Sequence, residues 1–217
     1  MNMNIDMITT TSIIMAVLSF LVFETRNLKR ATLLYALQTF ALVAIFLILG
    51  MKYQISTLFI WSATAFVTKV VLVPWIILNL IKKTGITYEE APFIGVYNPF
   101  LSIGMALTVA LILYPVFLKF SLIKLHIPLA VSILVFMMGI LGMVFRKSAI
   151  KQILSYCLFE NGAHLTLALT AYNAPETVEI GILTDAIFAV VIMAALGFRF
   201  FRYFGSFDTS QAKELKG

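Results

Sequence analysis

Glu160 and His164 stand four residues apart in the stretch "YCLFENGAH" (156–164), inside a run that is otherwise apolar and continues into "LTLAL". On a helix that spacing sets both on one face, with Tyr156 one turn away on the other side of the glutamate. A carboxyl and an imidazole at this separation can pass a proton directly or through one water, since burial and mutual charge tune both groups. Two more ionisable residues, Lys69 and Asp185, also lie in apolar runs. Each such group costs roughly 2.5–3.5 kcal/mol in hydrocarbon unless it faces protein, water or a partner, so a paired or hydrated interior is implied. Thr184 adjoins Asp185, and Gly181 one turn off permits close helix approach. Lys69 is preceded by Thr68 and followed by Pro74, whose missing N–H deprives the Val70 carbonyl of its helical partner and predicts a bend. These residues fit a proton or ion relay, and they also fit fixed pairs that only lock helix packing, with His164 as a hydrogen-bonded core residue.

The elements that carry them are membrane-spanning helices. A hydrophobic share of 61% and a mean hydropathy of +1.00 over 217 residues exceed what a soluble domain of this size can bury. Seven apolar blocks, at about 7–23, 31–51, 54–81, 92–118, 125–145, 152–173 and 177–198, are each long enough to cross a core about 30 Å thick. The fold class expected is therefore an all-α polytopic membrane protein. In the fourth block, Pro99 and Pro115 suggest an irregular lead-in, with the helix proper starting near Phe100. Counted at 1.5 Å per residue, Glu160 lies about 14 Å from the cytoplasmic edge, Lys69 about 18 Å from it and Asp185 about 12 Å from the outer edge. All three approach mid-depth.

Alternate loops differ sharply in charge. Arg26, Lys29, Arg30, Lys82, Lys83, Arg146, Lys147, Lys151, Arg199, Arg202, Lys213 and Lys216 fall on one side, while Lys52, Lys119 and Lys124 fall on the other. That asymmetry predicts an external N-terminus and a cytoplasmic C-terminus in the cell membrane. It also accounts for the net charge of +6 without nucleic acid. The N-terminal "MNMNIDMITT" lacks a basic start and a small-residue cleavage pattern, so the first block reads as a retained span.

A weak internal repeat is legible. At an offset of 122, Phe23 aligns with Phe145, Lys29 with Lys151, Gln38 with Glu160 and Leu47 with Leu169. At an offset of 120, Thr57 aligns with Thr177, Ile60 with Ile180, Thr64 with Thr184, and Ala65 with Asp185. The chain then divides into a three-helix unit at 1–81, a linking helix with its loops at 82–124, a second three-helix unit at 125–198 running parallel to the first, and a cytoplasmic tail at 199–217. Gln38 can hydrogen-bond but cannot carry Glu160's charge.

Soluble catalytic patterns are missing: there is no glycine-rich nucleotide loop, no HExxH and no credible serine–histidine–acid set. Cys157 is the one cysteine and His126 and His164 the two histidines, too few for an iron–sulfur or zinc site. Any redox centre must sit in another chain. Sodium handling would need several convergent oxygens, to which Thr166 and Thr184 are candidates.

Three long stretches, "FIWSATAFVTKVVLVPWII" (59–77), "ILSYCLFENGAHLTLAL" (153–169) and "APETVEIGILTDAIFAVVIMAAL" (174–196), resemble the membrane subunit hydrogenase-4 component E of formate hydrogenlyase-type complexes and group 4 membrane-bound nickel–iron hydrogenases. The resemblance covers essentially the whole chain. More distantly, the C-terminal unit is similar to the small three-helix K-type subunit of complex I and to its C-type counterpart in multisubunit cation/proton antiporters. The resemblance implies a non-catalytic membrane-arm subunit that contributes to a hydrophilic axis coupling redox chemistry to proton or sodium translocation. It implies antiporter-like membrane subunits, a membrane anchor like the H-type one of complex I, and hydrophilic hydrogenase and iron–sulfur subunits as partners, besides lipid. The nickel–iron centre and iron–sulfur clusters would belong to those partners, with no cofactor in this chain. Glu160 matches the first of two glutamates in the K-type relative, and Asp185 is the candidate for the second. The relay set expected is thus Glu160, His164, Asp185 and Lys69, supported by Gln38, Tyr156 and Thr184. A purely structural scaffold and an autonomous small transporter are the competing expectations.

Overall fold

A computed structural model describes residues 3–89, 99–173 and 176–214, with side chains placed for 5–89, 102–173 and 187–211. The apolar blocks fold as helices because backbone N–H and C=O groups in hydrocarbon must be satisfied within the segment. These are α1 (Met3–Glu24), α2 (Leu28–Tyr53), α3 (Ser56–Ala65), α4 (Val73–Thr84), α5 (Pro99–Phe120), α6 (His126–Phe145), α7 (Ala149–Thr170) and α8 (Glu176–Phe204). Between α3 and α4 the chain stays helical but widens into a π-helix over Phe66–Leu72, so the three pieces form one rod. The expected disturbance before Pro74 takes this form: the Val73 N–H donates to the Thr68 carbonyl, five residues back. α5 starts at Pro99, close to the expected Phe100, and runs through Pro115 without ending; residues 90–98 lie outside the described set.

Among the described residues, six stretches are long and apolar enough to cross a membrane. The rod that falls short is α7, the sixth of the seven expected spans. Its length of 22 residues suffices, but Lys151, Gln152, Glu160, Asn161 and His164 dilute its hydropathy. The bundle compensates by position. Fourteen of those 22 residues are buried, because α6, α2 and α8 pack around α7. At the other extreme, only 11% of the apolar window of α5 is buried, so α5 rests on α6 at the periphery.

The α6–α7 seam is closed by small residues. A Cβ at Gly139 would overlap the backbone of Phe159, and one at Gly162 would overlap the backbone of Phe136. Between helices in lipid, such close approach supplies the van der Waals contact that a hydrophobic driving force cannot. Thr166 Oγ1 donates to Ser132 Oγ across the same seam at 2.8 Å.

α2 and α7 begin in the same manner. Asn27 forms a bridge with Tyr88 while the Leu28 N–H donates to the Thr87 carbonyl at 2.9 Å. Ser148 bridges Asp208 while the Ala149 N–H donates to the Phe207 carbonyl at 3.0 Å. Each bridge ties the segment after a later helix to the start of an earlier one.

Overpacking at the seam is expected to be costly. Gly162→Ala should destabilise the purified protein by about 1–3 kcal/mol, read as a lower thermal midpoint in detergent, whereas Gly104→Ala, with nothing within 4 Å of the added carbon, should leave it within error.

Candidate functional site

Lys69 lies at the middle of the π-helical segment and is 3% exposed. Its Nζ meets three groups from one face of α7: Glu160 Oε1 at 3.2 Å, Asn161 Oδ1 at 3.2 Å and His164 Nδ1 at 2.6 Å. An ammonium has three N–H donors and no acceptor; two of these contacts, to Asn161 and His164, are hydrogen bonds, and Glu160 is held as an ion pair. Donation to Nδ1 requires that nitrogen to be unprotonated, which puts the proton of a neutral His164 ring on Nε2. The charges within this trio then cancel, one cation against one carboxylate, in a place where an unbalanced charge is costly.

α2 supplies an outer layer. The Asn161 amide, whose oxygen accepts from Lys69, donates from Nδ2 to Gln38 Oε1 at 2.7 Å and to Thr39 Oγ1 at 2.9 Å. Gln38, Thr39 and Asn161 are all fully buried. Orientation of the asparagine thus propagates from α2 through α7 to the lysine. Two polar groups on the same side of α2, Gln38 Nε2 and the Tyr35 hydroxyl, are buried with no hydrogen-bond partner among the described residues. Tyr35 lies near Cys157 and Thr39 and within electrostatic reach of Glu160.

Three of the four relay residues expected from sequence therefore meet directly, and Gln38 reaches them through Asn161. Tyr156 is half-buried, its ring 6.1 Å from that of Phe159. Asp185 and Thr184 fall on the α8 backbone, but their side chains lie outside the described residues. Thr166 is engaged with Ser132 and with the Gly162 carbonyl at 3.0 Å. Sequence reasoning passed over Asn161, Thr39 and Tyr35. Asn161 follows Glu160 directly, and Tyr35 precedes Gln38 by one turn, so both offered a polar group on the relevant face.

A second buried charge cluster lies at the far end of α7. Arg146 and Lys151, counted above as loop cations, are each only 2% exposed. Arg146 Nη1 pairs with Glu89 Oε2 at 2.6 Å, and Nη2 lies 3.9 Å from Glu24 Oε2. Arg146 also donates to the Phe23 carbonyl. Lys151 donates to the carbonyls of Val22, of Phe23 at 3.2 Å and of Thr25 at 2.8 Å. Both cations thus satisfy the orphan carbonyls that end α1 and complement its dipole. Burial pushes the Glu89 carboxyl above its usual range, against the pull of Arg146. Among the described residues, no group of three or more His, Cys, Asp and Glu side chains is placed to hold a metal ion.

Residues 127–217 match the family described as NADH-ubiquinone/plastoquinone oxidoreductase chain 4L, a span that includes Glu160, Asn161 and His164 but not Lys69. Over 205 residues the chain is 38% identical to the hydrogenase-4 component E of Escherichia coli strain K12, with 94% of each chain covered. The hydrogenase-4 component E of Shigella flexneri matches at the same 38% over the same 94%. An uncharacterized protein of Mycobacterium tuberculosis is 26% identical over 201 residues, covering 91% of this chain and 90% of its own. No solved structure matches.

Removing one member of the buried trio should expose the dependence of the others. Lys69→Met, which leaves Glu160 without its counter-charge, is expected to cost about 3–5 kcal/mol. Lys69→Met combined with Glu160→Gln should cost less than Lys69→Met alone. A double-mutant cycle on detergent unfolding measures that coupling.

Proposed function

The chain belongs to the hydrogenase-4 component E family, and from that premise we propose that it is a non-catalytic membrane-arm subunit of a hydrogenase or complex I-like oxidoreductase, in which Lys69, Glu160 and His164 couple redox chemistry in partner subunits to proton translocation. The observation that carries this reading is the sharing of one buried ammonium between a carboxylate and an imidazole nitrogen, at 3.2 and 2.6 Å. Both acceptors can take a proton, and each does so at the expense of its hold on Lys69.

The sequence of events follows from that competition. A proton reaching His164 Nδ1 removes an acceptor and adds a like charge beside the ammonium, which drives Lys69 toward Glu160. A proton reaching Glu160 removes the counter-charge, leaving Lys69 to His164 and Asn161. Position of the lysine thereby reports which neighbour is protonated and passes an electrostatic change along the bundle. Asn161 keeps its oxygen toward Lys69 because Gln38 and Thr39 hold its amide nitrogen. Asp185, one helix further on, is the proposed continuation of the path, and Thr184 its hydrogen-bonding neighbour. Sodium is the alternative ion.

Within the same reading the N-terminus faces outward and the C-terminus the cytoplasm, as the charge asymmetry of the loops supports. The division into two parallel three-helix units around α5 is supported by the shared mode in which α2 and α7 begin. Aligning those two starts, Leu28 on Ala149, brings Thr39 level with Glu160, one residue from the Gln38 pairing. Both α2 residues bond Asn161, so the first unit supplies neutral groups where the second supplies the acid. The proposed neighbours are antiporter-like membrane subunits, an H-type membrane anchor and hydrophilic subunits that hold the nickel–iron and iron–sulfur groups, in the cytoplasmic membrane.

A scaffold role is the second reading, favoured by the burial of Lys69 and its contacts to three α7 side chains, which is also what a fixed lock requires. Glu160→Gln in the assembled complex separates the two. Under the relay reading, the complex assembles and retains its redox rate while ion translocation, followed with a pH-sensitive dye in proteoliposomes, is abolished. Translocation at the unaltered ratio to electron flow would leave the scaffold reading standing.

A further inference from the structure

The groove between α4 and α8 carries an inference independent of the buried charges. It encloses about 290 Å³ and opens toward the surroundings of the bundle. Its walls follow helical spacing. Trp75, Asn79 and Lys83 lie four residues apart on α4, and Ala194, Phe198 and Arg202 lie four apart on α8, so each set forms a stripe along its helix. All of these but Arg202 line the groove, and Arg202 stands one turn beyond Phe198.

Polarity along the groove is graded. At one end are the C-terminal turns of both helices with Lys83 and Arg202, both exposed and neither ion-paired among the described residues. One turn inward is Asn79, half-buried, its amide without a hydrogen-bond partner among the described residues. Beyond it the lining is apolar, with the small side chains of Ala194 and Ala195 opposite Trp75 and Ile76 leaving the space open. The distance from Lys83 to Trp75 is eight residues, about 12 Å of helix.

We propose that this groove binds one anionic phospholipid, with its phosphate on Lys83 and Arg202, a glycerol ester carbonyl accepting from the Asn79 amide, and an acyl chain lying past Ala194 and Ala195 against Trp75. Cation, neutral donor and apolar trough occur in the order in which a phospholipid presents phosphate, ester and chain. Basic side chains at the membrane surface attract anionic headgroups. A zwitterionic lipid carries its own ammonium beside the phosphate and gains less. A neighbouring transmembrane helix of purely apolar sequence would fill the trough but leave Asn79 and both cations unmet. The site needs neither the relay nor any partner subunit.

The full chain, purified in mild detergent, is titrated with phosphatidylglycerol, with phosphatidylcholine of the same acyl composition and with inorganic phosphate, following the thermal midpoint and the bound lipid by native mass spectrometry. Phosphatidylglycerol should raise the midpoint and bind at one per chain, and the other two should not. In Lys83→Gln/Arg202→Gln the unliganded midpoint should persist while phosphatidylglycerol binding weakens at least about tenfold, equivalent to about 1.4 kcal/mol. Ala195→Leu, which fills the trough from an exposed position, should weaken it likewise. Equal stabilisation by phosphatidylcholine, or binding unchanged in the double variant, would overturn the proposal and assign the groove to unselective lipid or a neighbouring helix. A response to inorganic phosphate equal to that of the lipid would reduce the site to an anion contact and overturn the acyl component.

Discussion

Lys69 Nζ meets three side chains on one face of α7, with an ion pair to Glu160 and hydrogen bonds to Asn161 and His164, and the arrangement of the bundle depends on that cluster. A single helix that offers a carboxylate, an amide and an imidazole to one cation is too polar to face lipid. It must be surrounded. α7 is accordingly packed by α6, α2, α8, α1 and α5, and Gly139 and Gly162 let α6 approach it to backbone contact. The π-helical turn serves the same end from the other side. Pro74 cannot donate a hydrogen bond, and the extra residue per turn before it lets the Val73 N–H reach back to Thr68 while Lys69 points inward. The hydrogen-bond register that Pro74 would break is thus re-formed in the segment that carries the functional side chain.

Much of this was legible in the sequence, for a physical reason. Ionisable residues in hydrocarbon are expensive enough that Lys69, Glu160 and His164 stand out against their surroundings, and helical spacing alone sets the last two on one face. Seven rods, the late start of α5 near Phe100 and the disturbance before Pro74 follow from hydropathy and proline chemistry. What spacing does not convey is which helices meet. Asn161 looks like a neighbour of Glu160 until α2 is placed beside it and Gln38 and Thr39 fix its amide. Tyr35 is ordinary on a hydropathy profile and becomes notable when its hydroxyl is enclosed.

Arg146 and Lys151 mark the opposite case. Both add to the positive charge of the loops, as the orientation argument requires, yet both are enclosed by the structure, because the end of α1 exposes carbonyls that need donors and Glu24 and Glu89 bring compensating charge. A sequence count treats every loop cation as equal. Packing divides them into solvated ones, such as Lys83 and Arg202, and ones that hold the end of another helix. α7 therefore carries buried charge at two depths, Lys151 near its start and Glu160 nine residues on. The α1 terminus and the mid-depth trio are anchored to the same rigid helix.

Exposure has to be judged differently here from the surface of a soluble protein. Leu111, Ile112, Phe120, Phe188 and Leu196 are all more than half exposed, and in water such faces would mark a missing partner. Against lipid tails they cost nothing, since acyl chains are as apolar as leucine. Apolar exposure on α5 or α8 therefore does not separate a subunit interface from an ordinary lipid face. Polar groups do separate them, because each one in the membrane must be met by something. Inside the bundle Lys69 is met by three side chains of one neighbouring helix, and at the rim Asn79, Lys83 and Arg202 have no side-chain partner among the described residues.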